Sequence, residues 1–147
     1  MLMSQQKVKD TPKTPFELFR VECRSGWNHL IKPLFEYIEK YNQGKKEEDK
    51  IEILQVKEKF GGLRFYTNFY TKELDDLIDK ATEESYQTCE LCGTKENVGH
   101  TEGWITTCCK ECVKQMAQKR GRPYKWKIDT QTLMIYPDGE IEEKRNE

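Results

Sequence analysis

The chain has 147 residues, enough for one compact domain or a small domain with an appended module. Lys and Arg (25) balance Asp and Glu (26) to a net charge of −1, and charged residues match the apolar set at 35 % each. Such a composition leaves room only for a small core, and no apolar run approaches the ~18–20 residues of a membrane span.

The first ten residues lack the apolar centre of a secretion signal, so a reducing, cytoplasmic setting without a membrane partner is expected. Residues 1–15 are polar, carry Pro12 and Pro15, and read as a flexible arm. Phe16, Phe19, Val21 and Cys23 then form a short apolar patch without a clear period. Ser25 or Gly26 is placed to cap a helix. Trp27, Leu30, Ile31, Leu34, Phe35, Ile38 and Tyr41 recur on one helical face. Pro33 inside that pattern predicts a distorted start, a regular helix from about Lys32 to Asn42, and a stop at Gly44. A charged loop follows over 45–50.

From Ile51 onward, apolar residues occupy both phases of a strand, which predicts cover on two sides. Gly61-Gly62 between two β-rich runs predicts a hairpin turn, and no phosphate-binding glycine motif is completed around it. Alternation puts Leu63, Phe65 and Phe69 on one face of the second strand. Thr71 caps a second helix with Leu74, Leu77, Ile78 and Ala81 on its apolar face. Beyond the cysteine-rich stretch, Val113 and Met116 predict a short helix ended by Gly121. Two strands follow at 124–128 and 132–136, with a turn at Asp138-Gly139.

Five of the six cysteines lie within 24 residues, and in a reducing compartment clustered cysteines read as metal ligands. Cys89 and Cys92 form one C-x-x-C pair, and Cys109 and Cys112 form another, separated from the first by 16 residues. Two intervening residues let a tight turn aim both sulfurs at one ion, and a second such turn completes a tetrahedron around structural Zn2+. Gly93 suits the sharp turn after the first pair. Cys108 is surplus, because neighbouring side chains diverge, and it reads as a small buried apolar group. Cys23 reads as a core thiol, and His100, between the two pairs, as a polar loop residue, with a substitute metal ligand as the alternative. Four thiolates leave the ion no open position, so the metal points to scaffolding rather than chemistry.

The run Val56-Lys57-Glu58-Lys59-Phe60-Gly61-Gly62-Leu63-Arg64-Phe65-Tyr66 is followed by Thr88-Cys89-Glu90-Leu91-Cys92-Gly93 and then by Gly103-Trp104-Ile105-Thr106-Thr107-Cys108-Cys109-Lys110-Glu111-Cys112. Together these resemble a family of small, mostly uncharacterised zinc-knuckle proteins of bacteria and their phages. Its members carry a KEKFGGLRFY segment, a linking helix, and C-x-x-C-G followed by G-W-x-x-T-L-C-x-x-(His or Cys). The resemblance covers roughly residues 25–112, with Gly26-Trp27 included. Cys108 stands where Leu is usual and Cys112 where His is common. The resemblance implies a zinc-binding domain of phage or prophage type; it implies no activity.

Charge is segregated. Residues 71–88 hold two basic and six acidic residues, residues 110–127 seven basic and one acidic, and residues 128–147 two basic and six acidic. The middle block, with Lys110, Lys114, Lys119, Arg120, Arg122, Lys125 and Lys127 interleaved with Tyr124 and Trp126, has the composition of a nucleic-acid contact surface. The same charges would serve as a solvated face paired with the acidic neighbours. A second candidate contact surface is the hairpin, through Lys59, Arg64 and Tyr66.

The reading is an α+β fold: helix, β-hairpin, linking helix, a zinc-ribbon or treble-clef-like knuckle subdomain, and a C-terminal β-hairpin. Its divisions are the arm 1–15, an α+β domain 16–88, the knuckle subdomain 89–120, and a hairpin with an acidic tail over 121–147. The expected function is non-enzymatic binding of a host or phage macromolecule, foremost a protein, for example as a regulator or an inhibitor of a host defence or replication component. Nucleic-acid binding is the alternative, and an enzyme of unknown type finds weak support.

Overall fold

The computed structural model describes residues 12–144, in which apolar periodicity resolves into an α+β fold with two cores. The expected arm falls mostly outside the described residues, and its last position is already structured. Pro15–Leu18 (α1) is a single helical turn, closed by reciprocal hydrogen bonds between Thr14 and Glu17.

The first core lies between two helices and a hairpin. Helix α2 spans Asn28–Asn42 and is entered through a 3₁₀ turn at Ser25–Trp27. Neither Ser25 nor Gly26 caps it, and it begins four residues before the expected regular start. Pro33 removes one backbone donor near the N-terminal end, but burial of Leu30 and Ile31 before it and of Leu34 and Phe35 after it outweighs the loss. Helix α3, Lys72–Ser85, begins as expected at Thr71, whose hydroxyl accepts from the Leu74 N–H at 3.0 Å. Its buried stripe is Leu74, Ile78 and Ala81, while Leu77 is exposed.

Strands β1 (Ile53–Lys59) and β2 (Gly62–Thr67) pair antiparallel against these helices. The apolar residues in both phases of β1 have a different cause from the one expected. The register shifts between Ile53 and Gln55, so a bulge at Leu54 switches the inward phase. Ile51 and Val56 are buried on either side of it, and Leu54 is exposed. The outer edge of β1 is covered by Glu22, which bonds to Val56 and Glu58 through its backbone at 2.8 and 3.2 Å. In β2, Leu63, Phe65 and Thr67 point inward. Phe69 lies beyond the strand end, edge-on to Tyr41. The two-residue hairpin turn is Phe60-Gly61 rather than Gly61-Gly62, both with positive φ (54° and 82°) as a primed turn requires.

The second core lies under a five-stranded antiparallel sheet of order β4-β3-β5-β6-β7. Its strands are β3 (Val98–Thr101), β4 (Thr107–Cys109), β5 (Tyr124–Ile128), β6 (Gln131–Ile135) and β7 (Ile141–Lys144). Helix α4, Lys110–Arg120, packs on this sheet and ends at Gly121 in the left-handed conformation, as expected. The expected C-terminal hairpin is thus a three-strand meander, and the division at residue 121 falls inside a single sheet. Among the described residues no helix is long and apolar enough to cross a membrane.

A short set of buried hydrogen bonds joins the cores. The Gly26 N–H donates to Glu90 O at 2.7 Å, and the Trp27 indole donates to Thr88 O at 2.8 Å. The Thr107 hydroxyl donates to Gly61 O at 2.5 Å, tying the hairpin tip to β4. Within the first core, the Leu63 N–H donates to the Ser85 hydroxyl at 2.9 Å.

Candidate metal centre

Cys89 and Cys92 lie in a tight turn after α3, Cys109 closes β4, and Cys112 lies in the first turn of α4. Turn, β3–β4 hairpin and helix therefore bring both C-x-x-C pairs to one point. The four sulfurs all lie within 4.8 Å of one another and can hold a metal ion. Cys92 and Cys109 are 3.7 Å apart at sulfur, close to the ~3.8 Å edge of a tetrahedron with bonds of about 2.3 Å. All six cysteines are free thiols.

The two turns are built alike. In each, the second cysteine's N–H donates to the first cysteine's sulfur: Cys92 to Cys89 at 3.5 Å and Cys112 to Cys109 at 3.4 Å. Gly93 has φ 84°, which explains a glycine after the first pair, and its N–H returns to Cys89 O at 2.9 Å. Burial works against the Cys89 thiolate, yet N–H donors from Cys92, Cys109 and Leu91 outweigh it and lower the thiol's pKa. Cys109 also caps the N-terminus of α4, where the helix dipole favours negative charge.

Cys108 is fully buried outside the cluster, with its thiol directed to Thr106 O, and burial pushes its pKa up to about 12. It is the apolar filler expected. Cys23 is half-buried, and burial also raises its pKa to about 12. His100 pairs across the hairpin with Thr107 and does not join the sulfurs; burial lowers its pKa.

The basic block is divided by its structure. In β5 the alternation Tyr124-Lys125-Trp126-Lys127-Ile128 is that of a half-buried strand: Trp126 is fully buried, and its indole donates to Cys108 O at 3.1 Å. It is therefore no contact residue. Tyr124 lies with its ring under the Arg120 guanidinium at 3.5 Å, so that face is covered. Arg120 also donates to the carbonyls of Arg122 and Pro123. Lys125 and Lys127 both pair with Glu102, at 3.4 and 3.3 Å, and Lys114 pairs with Glu111. Lys119 and Arg122 are exposed and Lys110 is half-buried, so the block is not one continuous basic aromatic face. On the hairpin, Arg64 and Tyr66 point away from the core and Lys59 is exposed.

Residues outside the two C-x-x-C pairs seat the cluster. A Cβ at Gly26 would lie 2.4 Å from both Cys89 O and Glu90 O, so only glycine lets the chain pass the first cysteine turn. Glu90, buried within that turn, accepts from the Arg24 N–H at 3.1 Å. The Gly26-Trp27 pair lies in the 3₁₀ turn that meets the first cysteine turn and gives α2 no side-chain cap. No protein-family model, curated protein or solved structure matches the chain.

Proposed function

We propose that Cys89, Cys92, Cys109 and Cys112 hold a structural Zn2+. The chain is then a small non-enzymatic binding protein of phage or prophage type, acting in the cytoplasm on a host or phage protein as a regulator or inhibitor. The carrying observation is the set of four sulfurs within 4.8 Å of one another, drawn from a turn and a helix start. When bound, Zn2+ supplies folding free energy, on the order of 10 kcal/mol in small zinc domains. Four thiolates leave it no position for an activated water. The N–H groups of Cys92 and Cys112 hold the sulfurs of Cys89 and Cys109 in place, and the Gly26 and Trp27 bonds carry that order into the first core. The phage assignment rests on the sequence resemblance over 25–112.

The test is capture of partners by the tagged, zinc-loaded chain in a bacterial host, with and without nuclease. One dominant protein, retained after nuclease, is expected. Material lost on nuclease treatment would replace this reading with the nucleic-acid one.

A further inference from the structure

The tip of the β1–β2 hairpin and the β3–β4 loop face each other across a groove of about 320 Å3, lined by Lys57, Glu58, Lys59, Phe60, Trp104 and Ile105. Its composition runs against the stability of the fold. Phe60 takes a left-handed φ of 54° at the first central position of the turn, where Asn or Gly is the unstrained choice. Its ring is 67 % exposed, so burial does not offset the strain. Trp104, at 84 %, is the most exposed large apolar side chain among the described residues. Lys57 stands directly opposite Arg64 across the hairpin, and like charges in that position destabilise a sheet. Neither these two nor Lys59 is in an ion pair among the described residues. Local rules broken without structural gain are expected at functional positions.

We propose that this groove docks a segment of a partner protein in which an aromatic or aliphatic side chain is flanked by carboxylates. The inference rests on the protein-binding reading above and specifies its surface and partner chemistry. Phe60, Trp104 and Ile105 give an apolar floor for one anchor side chain, and Trp is the residue most enriched among binding hot spots. Lys57 and Lys59 on the rim meet the flanking carboxylates. The one acidic lining residue, Glu58, is held back by the Gly61 N–H at 3.0 Å. A single-stranded nucleic acid fits less well. The Lys59 ammonium lies over the Phe60 ring at 5.6 Å, which leaves Trp104 as the open stacking face, and the two lysines of the groove make a short track for a phosphate backbone.

The experiment is selection of a displayed random-peptide library on the zinc-loaded full chain, with the recovered peptides then measured against Trp104→Ala. Peptides with an apolar anchor between Asp or Glu residues should emerge. Trp104→Ala should weaken their binding about thirtyfold, the scale of a hot-spot residue. Phe60→Asn should weaken it comparably while holding or raising the thermal midpoint, which separates lost contact from lost fold. Lys57→Glu with Lys59→Glu should abolish it. Peptides that bind Trp104→Ala equally well would overturn the groove and leave the protein-binding reading standing. Absence of any selected peptide, with oligothymidylate binding that Trp104→Ala removes, would overturn both.

Discussion

Replacing Gly26 with Ala adds one methyl group at the joint between the two cores. Gly26 does not have positive φ, so alanine is conformationally acceptable there. Backbone entropy alone would stabilise the variant by about 0.5–1 kcal/mol. The structure reverses the sign. The new Cβ would lie 2.4 Å from the carbonyl oxygens of Cys89 and Glu90, and backbone in the cysteine turn cannot swing aside as a side-chain tip can. Separating the segments strains or breaks the Gly26 N–H bond to Glu90 O, a loss of about 1 kcal/mol. It also strains the buried Trp27 indole bond to Thr88 O, costing about 1–2 kcal/mol if left unmade. Overpacking adds about 1–3 kcal/mol. After the entropic gain, a net destabilisation of about 3 kcal/mol is expected, or roughly 10 °C in thermal midpoint for a chain of this size. The assay is urea unfolding with zinc present, alongside zinc affinity by competition with a chromogenic chelator. Both should fall. A Gly26→Ala variant as stable as the parent, with unchanged metal affinity, would refute the close approach of the 3₁₀ turn to the cysteine turn.

Three further outcomes follow from particular contacts. Leu54→Ser should change stability by less than about 0.5 kcal/mol because the bulge turns Leu54 outward, whereas Val56→Ala should cost about 2 kcal/mol; equal costs by urea unfolding would contradict the phase switch. Trp126→Phe should cost about 2–3 kcal/mol through the lost bond to Cys108 O and the smaller ring, where a surface stacking residue would cost almost nothing. Burial lowers the pKa of His100 in the fold, so on acidification the unfolded chain takes up its proton first. Its contribution is therefore full above the ordinary value of about 6.5 and falls as pH drops below it; His100→Asn should flatten that part of the pH profile relative to the parent.

The elements carried by a single unbroken period were legible in the sequence. The apolar face ending at Asn42, the Thr71 cap, the stop at Gly121 and the strand at 124–128 all lie where expected. So do the four cysteines, because C-x-x-C spacing is a local constraint and the β3–β4 hairpin has only to return the chain to the same point. What escaped was settled by tertiary contact. A bulge leaves no mark except a change of phase, which β1 shows as apolar residues on both sides. Strands β3 and β4 are short and carry Gly99, Thr101 and Thr107 in place of an apolar run, and the cluster and Trp126 supply their cover. Interleaved Lys and aromatic residues in β5 suit a half-buried strand as well as a nucleic-acid surface. Only the sheet order, with β5 between β3 and β6, decides that Trp126 is core. At the hairpin tip, Gly61-Gly62 concealed that Phe60 is itself a turn residue.

A metal staple in place of part of a larger core is the central claim, and metal content coupled to folding tests it most directly. The purified chain should carry one zinc ion by elemental analysis. Chelation should collapse the dispersed amide resonances of residues 88–144, and added zinc should restore them. A zinc-free chain with the same dispersed spectrum and the same unfolding midpoint would contradict the claim.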